Sequence, residues 1–163
     1  MRWQILILFL LVACTAQVDN LDHMMIIDSE ESFIVNMIPH HQEAVDTARL
    51  VVNSPDPEMP DFANSIIQAQ ESEIAMMEQW LADWYPDHQQ AKYMNMMPDL
   101  KLLDPAARDY PFLVGMIDHH SGAIEMSEQV LKLNPRPEVK GFAEKVIEDQ
   151  SNEIKLMQGW LAD

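Results

Sequence analysis

The nine residues from Phe33 to His41 (FIVNMIPHH) return 79 positions later as Phe112 to His120 (FLVGMIDHH), and this duplication constrains the chain more than any other feature. One added residue in the second half then moves the offset to 80. Phe62, Gln70, Glu73, Ile74, Met77 and Trp80 fall on Phe142, Gln150, Glu153, Ile154, Met157 and Trp160. A repeat of this length, made of two long segments with helical apolar period, predicts two helical hairpins packed as one all-α four-helix bundle. The expected organisation is an export segment at 1–16, a linker at 17–29 and a single bundle domain at 30–163. Its repeats span 30–84 and 109–163, joined by a connection at 85–104.

Start signals recur where the helices should begin: Asp28 with Glu31 as a capping box, Asp56 before Pro57, Asp104 before Pro105 and Asn134 before Pro135. They predict helices over 31–53, 58–84, 105–132 and 137–161. Pro39 removes an amide donor inside the first of these, so a kink is expected beside the histidine pair. The connection is long for a hairpin loop. It can cross the bundle between helices two and three, giving a ferritin-like topology, with a plain up-and-down bundle as the alternative.

Composition excludes more than it assigns. Arg2 is the only charge in the first 16 residues, residues 5–13 are apolar, and Cys14-Thr15-Ala16 follows, which reads as an export signal. Leu11 to Cys14 also has the form of a bacterial lipobox, predicting a lipid anchor on Cys14; ordinary cleavage after Ala16 is the alternative. Cys14 is the only cysteine, so the folded part has neither a disulfide nor a thiol to offer a metal. Loss of Arg2 leaves nine basic residues against 27 acidic ones, an unfavourable balance for nucleic acid as partner. No nucleotide-binding loop, nucleophile motif or zinc-protease motif is present. The chain reads as a binder, not an enzyme.

At about 100° per residue, Phe112, Met116, His119, His120, Ala123, Met126, Ser127 and Val130 share one side of helix three, while Asp118 and Glu125 point away. Both histidines therefore look inward. Helix four places Gln150 and Glu153 in its apolar face beside Met157, and helix two repeats this with Gln70, Glu73 and Met77. A carboxylate in an apolar stripe needs a cation, a proton or hydrogen bonds, because burying it unpaired costs several kcal/mol. The histidines of the preceding helix are the expected partners. Two readings fit: Glu-His pairs that only complete the core with methionine as filler, or a metal site. The recurrence of the whole set in both halves favours metal.

Di-iron bundles place Glu-Xaa-Xaa-His on two helices. Here Met37 stands three before His40, and Met116 three before His119. A thioether in place of the carboxylate softens the site, which disfavours iron and suits Cu(I), with Ag(I) by the same softness. His23-Met24-Met25 and the Met94-Met96-Met97 cluster near His88 are candidates for surface capture of Cu(I), or an apolar lid over the bundle end. Thioethers and imidazoles resist the oxidation that converts exported thiols to disulfides.

These blocks, MIxHH followed by a small-residue helix and later QxxEI with a trailing Met and Trp-Leu, resemble the bacterial family catalogued as domain of unknown function 305, over residues 30–163. The resemblance implies a ferritin-like bundle, export to the cell envelope or periplasm, and copper or silver binding in members with a role. It implies ligand roles for Met116, His119, His120, Met126, Glu153 and Met157, and for Met37, His40, His41, Glu73 and Met77. The first half has Thr47 where the second has Met126. The leading expectation is thus an exported copper-binding protein that sequesters Cu(I) or relays it to a delivery partner. A di-iron or di-manganese oxidase and a non-metal envelope interaction protein are the alternatives.

Overall fold

The computed structural model describes residues 26–91 and 95–162. The export segment, Cys14, the His23 to Met25 run and Met94 lie outside the described residues. Four helices form where the apolar period predicts them: α1 Glu30–Ala48, α2 Met59–Trp84, α3 Asp109–Leu131 and α4 Pro137–Ala162. Among the described residues no strand occurs, and no helix is long and apolar enough to cross a membrane.

Helix ends depart from the sequence expectation for identifiable reasons. Ser29, not Asp28, caps α1, accepting from the Ser32 amide while the Ser32 hydroxyl accepts from the Ser29 amide. The box thus uses a short hydroxyl where Glu31 was expected. α1 stops at Ala48, five residues early, because Leu50 and Val51 turn back to the carbonyls of Thr47 and Ala48, tightening the last turn. α3 starts at Asp109, and Pro105–Ala107 is a separate 3-10 turn capped by Asp104. A helix begun at Pro105 would carry Pro111 in its interior, clashing with the carbonyl four residues back; from Asp109, Pro111 falls in the tolerant first turn. Asn134, at φ 54°, ends the α3 to α4 turn in the left-handed region that asparagine tolerates. α1 runs through Pro39 as one helix.

Two apolar clusters fix the topology. At one end, Phe33 and Met37 of α1 pack with Met77 and Leu81 of α2, Val130 of α3 and Phe142 of α4. At the other, Ala44 of α1 packs with Phe62 and Ile66 of α2, Phe112 of α3 and Met157 of α4. The end of α2 and the end of α3 share a cluster, so these two helices run the same way. The chain between them must travel back along the bundle, which is the ferritin-like crossover and excludes the plain up-and-down alternative. Phe33 and Phe112 are fully buried, one in each cluster, and each burial contributes about 2–3 kcal/mol.

The crossover is anchored at both helices it passes. Glu43 of α1 accepts from the Met96 and Met97 amides at 3.0 to 3.1 Å, and Leu100 is buried in the second cluster. On α3, a Cβ at Gly115 would stand 2.5 Å from Pro98 Cδ, and one at Gly122 3.1 Å from Met96 Cε. These two glycines are two helical turns apart. They let the returning segment lie against the backbone of α3.

Candidate metal centre

Between the apolar clusters lies a polar layer to which each helix contributes two residues: His40 and His41, Gln70 and Glu73, His119 and His120, Gln150 and Glu153. All four histidines are fully buried, and both glutamines are nearly so. The inward side read for α3 from its sequence is the buried side, while Asp118 and Glu125 are exposed.

Within each hairpin the expected His-Glu pair forms. His41 Nε2 stands 3.0 Å from Glu73 Oε2, and His120 Nε2 2.6 Å from Glu153 Oε2. A carboxylate only accepts, so each Nε2 donates to its glutamate. Both Nδ1 atoms are buried without a hydrogen-bond partner among the described residues. The glutamates sit at the edge of the layer, not in the middle of the apolar stripe, with side chains 13% and 26% exposed. Burial opposes ionisation of Glu73, but the His41 hydrogen bond and Lys145 outweigh it and hold its carboxyl below the usual range.

Between the hairpins, where α1 meets α3, the His40 and His119 rings face each other with centroids 3.7 Å apart. Burial, reinforced by the other three imidazoles, pushes His40 well below its ordinary pKa. Burial also lowers His119, against the opposing pull of Glu43. Both are therefore neutral at physiological pH, the state in which an imidazole can ligate.

The methionines divide by bundle end. Met37, Met77 and Met126 share the first cluster, although Met126 belongs to the second repeat, and Met116 and Met157 share the other with Met59. Thr47, the counterpart of Met126, is buried and donates to the Glu43 carbonyl. Among the described residues no three His, Asp or Glu side chains gather closely enough to hold an ion by themselves. Any centre here therefore needs thioether sulfur or a shift of side chains.

Glu43 was not legible from the sequence. It stands 3.5 Å from His119 Nε2 with its side chain 11% exposed. The signal lay in the repeat alignment, where Glu43 falls on Gly122, so the duplication breaks one turn after the first histidine of each pair. Lys145, which reaches from α4 to Glu73 at 3.0 Å, also lay outside the sequence reading.

Solved structures of similar shape and sequence include CopM in its Ag-bound form, 33% identical with a TM-score of 0.71, covering 81% of this chain and 94% of that one. CopM in its Cu(I)-bound form is 37% identical with a TM-score of 0.68, covering 80% and 93%. A DUF305 protein from Streptomyces coelicolor, described as a candidate secreted protein, is 28% identical with a TM-score of 0.69, covering 83% and 93%. No functionally curated protein matches the chain. Residues 30–161, which hold both histidine pairs and all of the four helices but the last residue of α4, match the family described as a domain of unknown function, DUF305, and the chain belongs to that family.

Proposed function

We propose that this protein is exported, carries a lipid anchor on Cys14, and binds Cu(I), with Ag(I) as a second soft cargo, to sequester it or pass it to a partner protein. The observation that carries this reading is the polar layer: each hairpin holds one histidine whose Nε2 is tied to a glutamate and whose Nδ1 is buried with no hydrogen-bond partner among the described residues. A carboxylate behind an imidazole fixes its tautomer and raises its basicity, the usual arrangement behind a metal-bound histidine. His40, His41, His119 and His120 supply nitrogen; Met37, Met77, Met116, Met126 and Met157 supply soft sulfur. Glu73 and Glu153 position the rings. The likeness to CopM, solved with Cu(I) and with silver, supports the same reading. Binding and release of an ion need no group that reacts, and the proposal is of a carrier, not an enzyme.

The test is anaerobic titration of the mature chain with Cu(I) against a competing chelator, with Fe(II) and Zn(II) in parallel. Tight, selective Cu(I) binding is expected, and His119→Ala with His120→Ala should remove one equivalent while the helical content stays. Full stoichiometry in that double variant would overturn the assignment. The completed Glu-His bonds favour a second reading, in which the pairs serve the fold alone. It predicts no change in Tm on adding any metal, whereas an ion bound only by the native state must raise it.

A further inference from the structure

We infer that Met96, on the crossover segment, is a metal ligand, and that with His40 and His119 it forms a site for Cu(I) or Ag(I) between the two hairpins. This deepens the copper reading and rests on it. Met96 Sδ and His40 Nε2 lie 3.6 and 3.4 Å from one point, the position a Cβ would take on Gly122. A Cβ there would press on the Met96 methyl, 3.1 Å away, so the missing side chain of Gly122 leaves the Met96 side chain its room beside the imidazole. His119, its ring tilted against that of His40 with centroids 3.7 Å apart, is fully buried. Its Nε2 stands 3.5 Å from Glu43 Oε2, outside the range of a good hydrogen bond.

Glu43 holds this arrangement from the other side. Its carboxylate takes both the Met96 and Met97 amides, fixing the backbone that carries the sulfur, and it faces His119 at the same time. A nearly buried carboxylate with two backbone donors is a strong clamp. It also supplies a negative charge beside a site for a cation. A cavity of about 600 Å³ opens beside this clamp, and its lining carries Glu43, Asp46, Glu78 and Asp99 against one lysine, Lys101, giving a cation an acidic approach from solvent. Histidine and glutamate alone do not converge in threes among the described residues. A thioether completing two facing imidazoles gives a three-coordinate soft donor set suited to a monovalent ion.

The experiment is Ag(I) and Cu(I) titration of the mature chain labelled with 13C in its methionine methyl groups. The Met96 resonance is identified by its loss in Met96→Leu, a substitution close in volume. In the parent chain this resonance should shift as one equivalent of Ag(I) is added. In Met96→Leu one Cu(I) equivalent should bind about tenfold or more weakly, since even outer-shell changes cost about that much. Gly122→Ala, which replaces no ligand but sets a Cβ 3.1 Å from Met96 Cε, should weaken the same equivalent by displacing the thioether. If the parent chain binds Cu(I) while Met96→Leu keeps its affinity and stoichiometry and the resonance stays still, the inference is wrong and the copper reading stands. If the parent chain binds no Cu(I), both fall.

Discussion

His41 bonds Glu73 in the first hairpin and His120 bonds Glu153 in the second, yet the two carboxylates stand in different company. Glu73 also receives Lys145 from the opposite hairpin, whereas among the described residues no lysine or arginine pairs with the more exposed Glu153. One turn beyond the first histidine of each pair the contrast sharpens, with Glu43 on α1 and Gly122 on α3. Asn36 and Gly115 differ in the same way. Both glycines lie under the crossover segment, and Glu43 holds that segment from α1. The two halves agree at the histidines, glutamines and glutamates of the polar layer, and at these two positions they diverge where a single connection runs between them. A connection has no second copy, so the symmetry of the duplication must break along its path.

The comparison can be broken first at the apolar ends. Phe33 and Phe112 are equivalent in the repeat and fully buried in opposite clusters, so Phe33→Ala and Phe112→Ala should each cost about 3–5 kcal/mol. Denaturant unfolding of the two variants measures this. A loss below about 1 kcal/mol in one of them would show that its end collapses around the cavity and that the ends are not equivalent.

The next effect is acid destabilisation through the central imidazoles. His40 and His119 have folded-state pKa values below the ordinary 6.5. Between those values and 6.5 the unfolded chain binds more protons than the folded one, so stability rises with pH across that interval. It is fully present above 6.5 and lost as pH falls through the folded values. Tm at pH 5.5 should therefore lie below Tm at pH 7.5. Because Glu43 partly offsets the shift at His119, His40→Gln should flatten the profile more than His119→Gln. The reverse order would mean that Glu43 does not act on His119 as its position implies.

The smallest effect separates the two carboxylates. Lys145 is 57% exposed and bonded to Asp149 as well as Glu73, so Lys145→Ala should cost less than about 1 kcal/mol. A larger loss in urea unfolding would mean that the lysine, not His41, is what stabilises Glu73.

Helix positions and the inward faces were legible in the sequence because apolar residues at helical spacing have only one way to leave water together. The placement of each glutamate against a histidine also followed, because a carboxylate on an apolar face demands a partner. Helix ends were less legible. Whether Asp28 or Ser29 caps α1, and whether Pro105 begins a long helix or a single turn, depends on competing local hydrogen bonds of nearly equal worth.

By itself, then, the sequence determined the bundle, the duplicated hairpins and the four buried histidines, all of which rest on residue spacing within one element. Only the tertiary structure decided which elements face each other. It set α2 and α3 parallel, so that the connection had to cross the molecule. It grouped Met126 with Met37 and Met77 across the repeat boundary. It set His40 against His119 and brought Glu43 and Met96 to that pair. Contacts between residues distant in the chain arise from how apolar faces pack together, and spacing along the chain carries no record of which face meets which.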